Sequence, residues 1–187
     1  MKYILITLLT MLSLNTFAKK NTFVVMETSM GNIEIKLFDE SAPISVKNFL
    51  TYVDEKFYEG TVFHRVIDNF MVQGGGFDIN LKKKKTHAPI KNEATNRISN
   101  TTGTIAMART SVVDSATAQF FINVNDNAFL DHRGTGGSEF GYAVFGSISK
   151  GMSIVNKMKK VQTGRNGNLS DVPVENILIK KVYRKKE

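Results

Sequence analysis

A chain of 187 residues is long enough for one substantial domain and short for two, and its 42% hydrophobic and 22% charged residues exclude an intrinsically disordered polymer. The absence of cysteine rules out disulfides, thiol catalysis, cysteine-ligated metals and an N-terminal lipid on cysteine. A formal net charge of +8 permits contact with nucleic acid or anionic membranes, but part of the excess is local to Lys82–Lys85, and charge alone supplies only non-specific binding.

The first segment reads as an export leader. Lys2 gives a positive start, Tyr3–Leu14 is a largely apolar run, and Thr16-Phe17-Ala18 places small residues at the cleavage-determining positions, which predicts a secretory signal over 1–18 cut after Ala18. The run is about 12 residues against the roughly 20 a spanning helix needs, so a membrane anchor is not expected. Residues 19–187 then form a single mature domain, directed to the periplasm or onward to the medium.

Thr22–Thr28 and Asn32–Phe38 are β-rich, with Ser29-Met30-Gly31 between them, and predict an opening hairpin. Ser41 suits a helix N-cap and Pro43 a first turn, while Val46, Phe49, Leu50, Val53 and Phe57 recur at three- and four-residue spacing, so an amphipathic helix follows. Short β-branched or aromatic segments come next at Thr61–Ile67, Phe70–Gln73, Thr104–Ala108, Gln119–Val124 and Tyr142–Ile148. A second helical pattern covers Gly151–Lys160, and Ile177–Tyr183 closes the chain as a strand. This mostly-β order with two helices predicts a sandwich or barrel and excludes an alternating βαβ nucleotide-binding fold. The long irregular stretches Gly74–Gly103 and Asp126–Gly141 are expected to wall a site, because structureless loops of that length are uncommon without a function.

Several chemistries lack support. His64, His87 and His132 show no metal-ligand spacing, and His64, inside an apolar strand, reads as a core histidine with its ring nitrogens paired to nearby backbone. Gly74-Gly75-Gly76 lacks the Lys-Ser/Thr of a phosphate loop and reads, like the glycines around Gly136, as turn glycine. No G-x-S-x-G elbow is present. An enzyme built from these residues works by non-covalent means, without metal or cofactor.

The most informative stretch is FHRVIDNFMVQGGGF (63–77), where strand alternation places Phe63, Arg65 and Ile67 on one face. An arginine among apolar neighbours has either an ion-pair partner or a task. Together with TGTIAMART (102–110), SATAQFFINV (115–124), DNAFLD (126–131) and FGYAVFG (140–146), this stretch resembles the cyclophilin family, and most closely its bacterial periplasmic branch. The blocks run in order from Asn21 to Tyr183, almost the whole mature chain.

The resemblance implies a mainly β fold, a closed eight-stranded antiparallel β-barrel capped by two α-helices, and peptidyl-prolyl cis-trans isomerase activity with no cofactor. It places catalysis on Arg65 and Gln73, and substrate binding on Phe70, Met71, Ala108, Arg109, Gln119, Phe121, Phe129, Leu130 and Tyr142, with Arg109 at a position where the family uses its backbone. The implied partners are proline-containing unfolded or partly folded polypeptides met by a monomer, with no nucleic acid and no membrane anchor. Asp68-Asn69 stands where many relatives have Pro-Gly, and both pairs form turns. Phe129 and Tyr142 replace the tryptophan and histidine of many eukaryotic relatives, which implies altered drug binding with the isomerase activity kept. Two other readings compete: a binding module that grips proline segments without catalysis, and a polyanion-binding surface centred on Lys82–Lys85.

Overall fold

The computed structural model describes residues 21–186, so the leader, its cleavage point after Ala18 and the predicted mature start at Lys19 lie outside the described residues. The predicted opening hairpin forms from β1 (Phe23–Thr28) and β2 (Gly31–Leu37). Helix α1 (Pro43–Asp54) follows, then β3 (Thr61–Ile67), β4 (Met71–Asp78), β5 (Thr104–Met107), β6 (Phe120–Asn123), β7 (Val144–Lys150), α2 (Met152–Met158), β8 (Thr163–Asn166), β9 (Leu169–Pro173) and β10 (Ile177–Arg184). Eight strands close a barrel in the order β1-β10-β3-β4-β6-β5-β7-β2, with every pairing antiparallel, and β8–β9 stand apart as a two-stranded hairpin. Closure removes the free edges that an open sheet of this size would present.

Strand alternation sorts side chains into two clusters. Val66, Val72, Ile105, Met107, Phe120 and Ile122 belong to the main core, while their neighbours Met71, Ala106 and Phe121 form a second cluster with Leu130 and Val144. Helix α1 contributes Phe49, whose ring lies 5.2 Å from Tyr58, 5.8 Å from Phe120 and 5.3 Å from Phe145. These offset and edge contacts close the main core with large apolar area.

The helix start differs from expectation. Ala42, not Ser41, is the N-cap and offers no side-chain bond; the carboxylate of Glu93 instead accepts from the backbone N–H groups of Ile44 (2.9 Å) and Ser45 (2.7 Å). A remote carboxylate thus does the local cap's work and complements the helix dipole. Phe57 falls beyond the helix, after Lys56 turns the chain with φ +56°.

Gly74-Gly75-Gly76 is not a turn but the middle of β4, and crowding explains it. A Cβ on Gly75, which has φ +81°, would stand 2.7 Å from the Phe120 ring, and one on Gly76 would stand 2.4 Å from Cγ of Gln119. Glycine here lets the strand approach its neighbours closely.

Candidate active site

The expected common face of Phe63 and Arg65 does not form. Phe63, His64 and Arg65 of β3 face only Gly74 and Gln73 of β4, so the register shifts between Phe63 and Arg65. The extra residue reverses the alternation: Phe63 turns into the main core beside Phe120, whereas Arg65 and Ile67 face the second cluster. This bulge puts a guanidinium on the outer wall of the barrel.

There a pocket of about 180 Å³ is lined by Arg65, Phe70, Met71, Gln73, Ala108, Arg109, Phe121, Leu130 and Tyr142. It is smaller than the roughly 300–1,000 Å³ of cofactor and drug-sized sites, and suits one ring-bearing side chain with its adjoining peptide. Nine of the eleven residues named from the sequence line it. The remaining two adjoin it: Gln119 accepts a 3.0 Å bond at Oε1 from Nε2 of Gln73, and Phe129, exposed at 57%, places its ring 5.5 Å from that of Phe70. Gly76 leaves the space that Gln119 occupies.

The apolar wall is held by backbone and buried amides. In the turn from β3 to β4, Asn69 takes φ +60°, and the Asp68 carboxylate accepts from Nζ of Lys160 at 2.6 Å. That bond holds the Asp68 carboxyl below its ordinary range. Asn127 Nδ2 donates to the carbonyl of Phe70 (2.8 Å) and to Oδ1 of Asn123 (2.7 Å), and Asn123 Nδ2 donates to Oδ1 of Asn100 (3.2 Å). This buried chain fixes the segment bearing Phe129 and Leu130 against the turn bearing Phe70. Sequence reading missed Asn100 and Asn123 as supports; for Asn123, an asparagine closing the otherwise apolar strand β6 was the available signal, and Asn100, in irregular chain, had none.

Arg109 acts through its side chain, not only its backbone. Nε, Nη1 and Nη2 donate to the carbonyls of Gly141 (2.9 Å), Thr110 (2.9 Å) and Gly137 (2.7 Å), and the guanidinium lies 4.7 Å from the Tyr142 ring centroid. Tyr142 meets Phe121 edge-on at 5.6 Å. The pocket's far wall is therefore a cation–π stack locked to a loop. Of the two long irregular segments expected to wall a site, only the second does so, through Leu130 and through Gly141, whose carbonyl holds Arg109. The first lines no part of the pocket: Glu93 caps α1 and the His87 N–H donates to the Tyr52 hydroxyl at 3.0 Å, while Ile98 and Asn100 back the pocket wall from behind.

His64 is buried at 5% exposure; among the described residues its Nδ1 has no well-formed hydrogen-bond partner, and the Val62 backbone offsets only part of the cost of burial, so the expected pairing of both ring nitrogens is at most partly met. Burial chiefly, with the adjacent Arg65 charge adding to it, lowers its pKa to about 4, so the ring is neutral at pH 7. Among the described residues Arg65 faces one carboxylate, Asp171, whose Oδ2 lies 3.6 Å from Nε.

Comparison with known proteins agrees with this geometry. The family described as cyclophilin type peptidyl-prolyl cis-trans isomerase/CLD matches residues 23–184. The chain is 55% identical to peptidyl-prolyl cis-trans isomerase A of Dickeya dadantii over 183 residues, covering 95% of each chain. It is 54% identical to peptidyl-prolyl cis-trans isomerase B of Escherichia coli over 159 residues, 85% of this chain and 97% of the relative. A Cryptosporidium parvum cyclophilin solved in the presence of the dipeptide Ala-Pro shares the fold at a TM-score of 0.72 and 23% identity, over 88% of this chain and 99% of that one. Closed barrel, outer-wall pocket and near full-length matches lead to one conclusion: this chain belongs to the cyclophilin-type peptidyl-prolyl cis-trans isomerases.

Proposed function

We propose that this isomerase acts on X-Pro bonds of exported polypeptides and assists their folding in the periplasm, with Arg65 supplying the group that stabilises the twisted bond. The observation that carries the catalytic part is the opening of Arg65 and an apolar ring-sized pocket onto one another. Phe70, Met71, Phe121 and Leu130 receive the pyrrolidine ring, with methionine adapting to its shape.

Rotation about a peptide bond faces a barrier of about 18–20 kcal/mol, because it breaks the partial double bond, and takes tens to hundreds of seconds unaided. In the twisted state the prolyl nitrogen becomes a hydrogen-bond acceptor, which it is not in either planar ground state. A guanidinium N–H aimed at that nitrogen binds the transition state selectively. Gln73 and Gln119, joined through one hydrogen bond, keep an amide oxygen and an amide nitrogen for the substrate backbone. Moving from about 10⁻² s⁻¹ to about 10 s⁻¹ requires roughly 4 kcal/mol. One preorganised donor supplies about 2.7–4 kcal/mol, and fixing the ring in the pocket supplies the remainder. Proline-containing peptides are the substrate class this chemistry recognises, and Ala-Pro accompanies the Cryptosporidium parvum relative.

The leader pattern over 1–18 supports export. Mass spectrometry of protein from a periplasmic fraction is expected to show a chain starting at Lys19. Recovery of intact Met1 there, or of the protein only in cytoplasm, contradicts the export reading.

Position 129 governs a second expectation. Its phenyl ring stands at the open rim and lacks the indole N–H of tryptophan-bearing relatives, so cyclosporin inhibition is expected to be weaker than theirs. Phe129→Trp should strengthen inhibition; equal inhibition of both forms would remove position 129 from the explanation.

A further inference from the structure

Asp171 lies outside the pocket and outside the barrel, in β9 of the separate hairpin. Two observations set it apart. Gly164 pairs with Val172 and Asn166 with Leu169, so β9 carries one residue more than β8 across this interval, and Asp171 within it takes φ +59°. A non-glycine residue in the left-handed region at a bulge is a device that re-aims a side chain. Here the re-aimed carboxylate stands 3.6 Å from Nε of Arg65, with the side chains 38% and 41% exposed respectively. At that length the contact is an ion pair rather than a hydrogen bond.

We propose that Asp171 is a positioning residue for Arg65. By approaching the Nε edge it leaves both terminal nitrogens of the guanidinium for the substrate. An ion pair this exposed contributes little to folding, so stability does not account for a bulged, left-handed aspartate at this place. Orientation does: Arg65 reaches the pocket on a long flexible side chain, and a fixed carboxylate narrows the directions its guanidinium samples before substrate arrives. Val172, buried at 6% exposure next to Asp171, anchors the hairpin that carries it. The alternative posed by the sequence, a partner or a task for Arg65, resolves into both at once. The inference rests on Arg65 being the group that acts on the prolyl nitrogen.

The test uses the mature chain and Asp171→Asn, which removes the charge, keeps the volume and tolerates φ above zero. Turnover is expected to fall about three- to tenfold with KM within about twofold and Tm within about 2 °C of wild type, since orientation matters most at the transition state. Asp171→Glu should restore at least about half of the lost turnover, because it returns the charge. The Arg65 Nε–H resonance in ¹⁵N NMR should exchange with solvent faster in Asp171→Asn. In an Arg65→Ala background, Asp171→Asn should change turnover by less than about 1.5-fold, as coupled residues do once the partner is gone. Turnover of Asp171→Asn above about half of wild type, beside a crippled Arg65→Ala, overturns the role of Asp171 alone. An active Arg65→Ala overturns the reading of Arg65, and this inference with it.

Discussion

Replacing Arg65 with alanine is expected to lower turnover by about two to three decades, the cost of one preorganised donor, while the protein stays folded. The side chain sits at the rim of an outer-wall pocket with 41% of its surface exposed, and its carboxylate partner Asp171 is about as open to water. Folding stability should therefore change by no more than about 1 kcal/mol. Arg65→Lys should recover only part of the loss. A lysine carries the charge but not the planar fork, so it cannot face Asp171 through one edge and the substrate through the other. Peptide affinity should change much less than turnover in both variants, because Phe70, Met71, Phe121 and Leu130 still receive the ring.

Acid should destabilise the fold through His64. The ring is 5% exposed with Nδ1 unpaired among the described residues, and burial lowers its pKa to about 4, against about 6.5 in an unfolded chain. Between those values the unfolded chain binds the proton and the folded one does not, so stability rises with pH across the window. His64's contribution is fully present above about pH 6.5 and is lost as pH falls towards 4, amounting to about 3 kcal/mol. Urea unfolding at pH 7 and pH 4 should show wild type losing about that much more than His64→Phe, which has no proton to gain. Parallel pH profiles for the two proteins would remove His64 from the acid response.

The same segment shows where sequence reading works and where it stops. Strand β3 was legible to the residue, because Thr61–Ile67 is a β-branched and aromatic run, broken only at Arg65, between turn residues. Its facing was not legible. Alternation predicts one face for Phe63 and Arg65, and the bulge that separates them depends on β4, whose glycines are set by Phe63, Phe120 and Gln119. Helix α1 was legible from its apolar spacing, but its cap comes from Glu93, far along the chain. The β8–β9 hairpin was missed because Thr163–Asn166, all exposed, carries no apolar alternation and Leu169–Pro173 contains aspartate and proline, poor strand formers. Gly167-Asn168 between them, with Gly167 at φ +57°, was the one local signal for it.

The pocket residues were named through the resemblance, not through pattern. Met71, Phe121 and Leu130 look like core in any local window, and only the closed barrel shows them gathered on the outer wall with Arg65. Asp171 had no local signal at all. Its significance comes from a hairpin folding back towards β3, which no window of neighbouring residues contains.

The most direct test of Arg65 as the transition-state donor is NMR exchange spectroscopy of a proline peptide with the purified mature chain, wild type and Arg65→Ala side by side. It reads cis-trans exchange rate and peptide binding in one sample. Arg65→Ala is expected to bind the peptide nearly as wild type does, through unchanged pocket contacts, while enzyme-driven exchange falls by about two to three decades. A folded Arg65→Ala that keeps more than about a third of the wild-type exchange rate, a loss under about 0.7 kcal/mol, would contradict it.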